Sequence, residues 1–249
     1  MTRMVQVAAI VAGIIIGVSS PAIRAQGLNG LGGMTDGTHQ FKPYRRIHLG
    51  PEYRDTIIEA MVYECPFCRA LNNQTLRWAD TLPSSIHFEQ MPAAVGKPWI
   101  SMAQSYFAVA AIDPGILPRF DSEAFHLVQD DHDSYSDPRT YALATEKIGV
   151  RPADYLAAMR YKPVQQLVLQ DIRVMGKAGI RQTPSLIICG RYVITPGSVQ
   201  GNYSLYFQLA NALASHCISE NHLEGQSPRA KARSLQGGTQ AGLTREHEQ

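Results

Sequence analysis

The sequence predicts an α/β fold interrupted by an all-helical insertion. Three observations carry that prediction. An apolar, strand-like run at Thr56–Tyr63 leads straight into a Cys-x-x-Cys pair and a helix; after a short strand at Ile86–Met91, strand character returns only beyond Pro184; and the roughly 80 residues from 97 to 176 carry helical spacing throughout.

At 249 residues the chain is long enough for a sizeable core, and 45% hydrophobic with 18% charged residues excludes both a disordered chain and a multi-span membrane protein. A formal net charge of +2 is too small for the clustered basic face that nucleic acid requires, so no nucleic-acid partner is expected. Near the start, Arg3 precedes an uncharged apolar run from Val5 to Val18 and then Ser19-Ser20-Pro21-Ala22-Ile23-Arg24-Ala25, the layout of a secretory signal peptide. Cleavage fits after Ala22 or after Ala25, with Ala25 preferred. The run is short for a membrane span of about 20 residues, so export with cleavage is expected.

Taken in order, residues 26–43 are rich in glycine and lack periodicity, as a flexible leader would be. Arg46–Leu49 reads as a short edge strand. Thr56–Tyr63 is apolar on both faces, as a central strand would be. From Pro66, the positions Phe67, Leu71, Thr75 and Trp78 recur near helical spacing until Pro83 closes the segment. Ile86–Met91 alternates like a strand, with Pro92 expected to stop it. Helices follow at Trp99–Ile112, Ile116–Val128, Pro138–Ile148, Pro152–Met159 and Pro163–Met175. Ser185–Cys189 and Tyr192–Thr195 read as a hairpin turned by Gly190-Arg191, and a last helix is expected at about Asn202–His216. The chain thus divides into a signal peptide at 1–25, a leader at 26–43, an α/β core at 44–96 and 177–218 around a helical insertion at 97–176, and a disordered tail at 219–249.

The chemistry concentrates in Cys65-Pro66-Phe67-Cys68. Two thiols three positions apart at a helix start can close a small disulfide ring while the first stays accessible to another molecule's sulfur. The helix N-terminus offers unpaired N–H groups and partial positive charge that stabilise a thiolate. Cys65 is therefore the expected nucleophile, and Cys68, one turn into the helix, the residue that resolves a mixed disulfide. An inert disulfide and half a zinc site are the alternatives; the eight histidines show no paired spacing with further cysteines, so no metal is expected, and the dithiol itself is the redox centre with no cofactor besides. Thr183-Pro184 directly precedes a strand, where a trans bond is the ordinary expectation.

Glu59, Cys65-Pro66-Phe67-Cys68, the long helical insertion and Gly179-Ile-Arg-Gln-Thr183-Pro184-Ser-Leu-Ile-Ile-Cys-Gly-Arg-Tyr192 together resemble the DsbA family of bacterial periplasmic thiol–disulfide oxidoreductases, over about residues 45–215. The resemblance implies a thioredoxin-type fold with an inserted helical domain, and a cis bond at Pro184 beside the active-site cysteines. It implies that Thr183 pairs with a bound substrate peptide as an added strand, with Pro66 and Phe67 on the same substrate-facing surface. It also places Glu59 beneath the disulfide as a buried acid that relays a proton to Cys68. The chain departs from the family at Phe67, where strongly oxidising members carry a histidine that stabilises the thiolate. Phe67 cannot do so, which implies a weaker oxidant.

Implied partners are unfolded or partly folded exported proteins and a membrane-bound redox protein that regenerates the dithiol centre. A dithiol oxidase is the leading expectation; a reductase or isomerase, or a non-catalytic binding or chaperone module on the same fold, are the alternatives. Cys189 and Cys217 are read as a structural disulfide or as two unpaired small core residues. Asp130-Asp131-His132-Asp133 reads as a solvated loop.

Overall fold

The computed structural model describes residues 42–226. The signal-peptide reading, all of the leader before residue 42 and the tail from 227 onward lie outside the described residues.

Five strands form one sheet in the order β1-β5-β4-β2-β3. Strand β2 (Thr56–Met61) is central, and every residue after Thr56 is buried, which explains its largely apolar sequence, Glu59 being the exception. It pairs in parallel with β3 (His87–Pro92), from Thr56 opposite His87 to Met61 opposite Pro92. On its other side it pairs antiparallel with β4 (Ser185–Ile188), Ile58 facing Ile187. The hairpin partner β5 (Tyr192–Ile194) is flanked by β1 (Arg45–Arg46) at the far edge. Pro92 stops its strand as expected, as the last residue of β3, which lies at the sheet edge where a missing N–H leaves no ladder bond unmade.

Side-chain alternation divides the core. Ile58, Ala60, Ile187 and Val193 meet the helical insertion, while Ile57, Leu186, Ile188 and Ile194 meet α1 (Pro66–Ala79) and α7 (Tyr203–Gln226). The insertion between β3 and β4 consists of α2 (Ile100–Ile112), α3 (Leu117–Gln129), α4 (Pro138–Lys147), α5 (Pro152–Arg160) and α6 (Lys162–Ala178). Gly179, in the left-handed region at φ 59°, ends α6 and turns the chain toward the Thr183-Pro184 loop. The Arg45 guanidinium caps the same helix end, donating to the carbonyls of Ala178 (2.5 Å) and Gly179 (3.1 Å).

Two local expectations change. The hairpin turn centres on Cys189 and Gly190, at φ 54° and 61°, rather than on Gly190-Arg191, and the Arg191 N–H donates to the Ile188 carbonyl over 3.0 Å. Helix α7 continues ten residues past His216 to Gln226, so the first part of the expected tail is helical. No helix among the described residues is long and apolar enough to cross a membrane.

Candidate active site

Strand β2 delivers the chain to a short turn, in which the Cys65 N–H donates to the Val62 carbonyl over 3.3 Å. Cys65 is then the N-cap of α1, with extended backbone at φ −84° and ψ 113°. Its Sγ accepts the Cys68 N–H over 3.3 Å, satisfying one of the orphan donors at the helix start. Pro66 occupies the first turn, where its missing N–H leaves nothing unpaired. Cys65 is half-buried, Cys68 is buried, and the two free cysteines approach to 3.2 Å.

The environments drive the two thiols apart. The Cys68 side chain and the N–H groups of Cys68 and Phe67 stabilise a Cys65 thiolate against the cost of burial, lowering its pKa from 9.0 to about 6. Burial, together with the neighbouring Cys65 sulfur, pushes Cys68 well above the ordinary thiol range. One sulfur is poised as an anion and the other is held as a thiol.

The tertiary fold brings the other predicted residues to this point. The Thr183–Pro184 bond is cis, and the Thr183 carbonyl accepts from the Cys65 thiol over 3.2 Å. Pro184 is buried behind it, while Pro66 and Phe67 are exposed, Phe67 by 58%. Glu59 is 2% exposed and shares the parity of Ile57, which turns it to the α1 side of the sheet. Burial raises it to about 7, against the opposing pull of the Gln90 amide and the Thr75 hydroxyl. Gln90 Nε2 donates to Glu59 Oε2 over 2.7 Å and to Asn72 Oδ1 over 2.9 Å, and both amides are only partly buried. A hydrogen-bonded chain thus leads from the buried acid toward solvent.

Several contributing residues carry no signal in the sequence. The Tyr63 hydroxyl donates to the buried Asp121 of α3 over 2.5 Å, and Trp99 donates its indole N–H to Glu64. Gln129 Nε2 donates to the carbonyls of Tyr63 (2.6 Å) and Cys65 (3.1 Å). Asp130, in the exposed stretch expected to be a solvated loop, makes a two-pronged ion pair with Arg69, both contacts 2.7 Å, and accepts from His126 Nδ1 over 2.8 Å. No group of three or more metal-ligating side chains occurs among the described residues.

Cys189 and Cys217 lie apart from this site, on the face packed by α7, and form a disulfide with Cα atoms 6.4 Å apart.

No protein-family model matches the chain. Among curated proteins, the thiol:disulfide interchange protein DsbA of Pseudomonas syringae pv. tomato is 26% identical over 145 residues, covering 58% of this chain and 67% of the relative. Among solved structures, Pseudomonas aeruginosa DsbA superposes with a TM-score of 0.62 at 18% identity, over 75% of this chain and 95% of the other. A Proteus mirabilis DsbA crystallised with a non-covalently bound peptide superposes with a TM-score of 0.60 at 17% identity, over 72% of this chain and 98% of the other. The architecture is the thioredoxin fold with an inserted helical domain, and the chain is a DsbA-like thiol–disulfide oxidoreductase.

Proposed function

We propose that the chain is an exported dithiol oxidase acting on newly secreted proteins through Cys65-Pro66-Phe67-Cys68. The observation that carries this reading is the asymmetry of the pair: an accessible Cys65 thiol lowered to about 6 beside a buried, strongly raised Cys68. A stabilised thiolate is a good leaving group, and it favours the reduced form of the protein, which makes its disulfide oxidising.

In the oxidised protein a substrate thiolate attacks Cys65 Sγ, the Cys65–Cys68 bond breaks, and the electron pair leaves on Cys68. Glu59, near its midpoint at neutral pH, supplies the proton that the departing Cys68 sulfur requires. A second substrate thiolate then attacks the substrate sulfur of the mixed disulfide and releases Cys65 as a thiolate. The substrate leaves with one new disulfide, and the protein has gained two electrons. Thr183, Pro66 and Phe67 form the docking surface, with the buried Pro184 supporting Thr183 from behind; the Thr183 backbone adds the substrate as a strand and Phe67 offers apolar contact with little sequence preference. The non-covalently bound peptide in the Proteus mirabilis DsbA structure supports a peptide as the class of ligand.

The layout of residues 1–25 supports export to the periplasm, and a membrane-bound oxidase would return the electrons to the respiratory chain. One observation favours a second reading: Phe67 places no hydrogen-bond donor over the thiolate, which moves the balance toward a reductase or isomerase. The glutathione equilibrium, measured with the rate at which the protein oxidises a reduced, unfolded test protein, separates the two. A potential well above thioredoxin's, with oxidation abolished in Cys65→Ser, is the expected result. A thioredoxin-like potential with reductase activity would overturn the oxidase assignment, and an inert pair would overturn catalysis altogether.

A further inference from the structure

The helical insertion does more than cover the sheet, because its second helix, α3, grips the turn that carries the nucleophile. Gln129, the last residue of α3, donates to the carbonyls of Tyr63 and Cys65 with a single amide nitrogen, at 2.6 and 3.1 Å. These two carbonyls flank Glu64, so one rigid side-chain amide sets both peptide planes of the turn between β2 and α1. The Cys65 carbonyl already receives the Arg69 N–H over 3.3 Å, as the first bond of the helix. Tyr63 is fully buried, and its carbonyl takes this amide in place of water.

The consequence for the sulfur is geometric. Whether Cys65 Sγ sits on the Cys68 N–H, 3.3 Å away, depends on the backbone angles of Cys65, and the Gln129 contact holds the carbonyl that those angles orient. The donor also holds the negative ends of two carbonyl dipoles, limiting their freedom to swing toward the anion. The neighbouring Arg69–Asp130 pair grips the same helix from outside, but it is largely exposed and therefore weakly coupled to the site. The Gln129 bonds are the inner part of the clasp.

We propose that Gln129 is a positioning residue for the redox centre, through which the helical insertion sets the thiolate stability of Cys65 and hence the oxidising power of the pair. This rests on Cys65 being the nucleophile, as argued above. Gln129→Met tests it, since methionine keeps the volume and the neutrality but cannot donate. The reduced full-length protein is titrated by iodoacetamide alkylation of Cys65, and its glutathione equilibrium is measured at pH 7. The expected result is a Cys65 pKa higher by about one unit and an equilibrium shifted about fivefold toward the protein disulfide, making it less oxidising, with an unchanged circular dichroism spectrum. Asp130→Asn, which removes the outer pair alone, is expected to leave both readouts near those of the native protein.

A folded Gln129→Met protein with native titration and potential would overturn the proposal while leaving Cys65 as nucleophile. A native Cys65 no more reactive than a peptide cysteine would overturn both. Should Gln129→Met not fold, the side-chain amide protons of Gln129 in the native protein decide: protection from exchange, with resonances that move as Cys65 titrates, supports the role, and exchange at the rate of an exposed amide refutes it.

Discussion

Gln90 gives its side-chain amide to the buried Glu59 carboxylate over 2.7 Å, so the acid beneath the cysteines is answered by a neutral donor and not by a cation. Burial then dominates, and Glu59 sits at about 7 instead of 4.5. At neutral pH it exists in comparable amounts as acid and as carboxylate, which suits a group that gives and recovers a proton in each cycle.

The same shift predicts a stability cost. Because the folded pKa is raised, the contribution of Glu59 is fully present below about 4.5 and is lost as pH rises through about 7. Glu59→Gln is therefore expected to match the native protein in urea denaturation at pH 4 and to exceed it at pH 8 by up to about 3 kcal/mol. It should also slow the departure of Cys68, read as slower formation of the mixed disulfide with a small thiol. Equal stability at both pH values would refute the assignment.

Gln90→Leu removes the donor and leaves the carboxylate buried without it. The Glu59 midpoint is expected to move above its native value of about 7, and the pH dependence of mixed-disulfide formation to move with it by about one unit. Stopped-flow kinetics against pH would show an unmoved profile if Gln90 were only a packing residue.

Cys65 is expected to alkylate with a half-maximal rate near pH 6, while Cys68 in the same folded protein stays unmodified. Mass spectrometry of the peptide containing both cysteines, after brief exposure to iodoacetamide, would count the labels. Two labels, or a midpoint near that of a free cysteine, would contradict the environments described.

Phe67→His places a donor over the Cys65 sulfur in a side chain that is already 58% exposed and so costs little packing. The thiolate should gain further, and the glutathione equilibrium should move toward the reduced protein by about tenfold. An unchanged equilibrium would mean that the position does not reach the sulfur.

The Cys189–Cys217 bridge closes a loop of sequence separation 28 and ties the end of β4 to α7. In the chain-entropy account, its loss through paired substitution to alanine costs about 3–4 kcal/mol. Urea denaturation would show this, with the Cys65 midpoint unaffected because the bridge lies apart from the redox pair.

Much of the fold is legible in the sequence where a local signal coincides with a global role. The largely apolar run of β2, the proline after Cys65 and the repeated apolar spacing of residues 97–176 each point to the element that forms. Pro92 ends β3 as its missing N–H predicts, and the edge position of that strand lets the proline itself be its last residue. The hairpin shifted by one residue because Cys189, tied to Cys217, takes a positive φ that its residue type does not advertise. Gln90, Asn72, Asp121 and Gln129 were invisible as site residues. Nothing about a glutamine in a strand or at a helix end tells which distant carbonyl or carboxylate it meets.

The sequence by itself determined where the two cysteines stand on their helix, and with that the polarity proposed for the pair. The spacing of the cysteines and the helix start that follows them are local features, and the amide groups of one turn suffice to favour an anion at Cys65 over Cys68. The tertiary structure decided how far that preference goes. Thr183 lies 118 residues from Cys65 and Gln129 64 residues from it, so their contacts exist only once the insertion has folded and the sheet has closed. A thiolate's stability depends on every dipole within a few ångströms, and long-range packing alone fixes which dipoles those are.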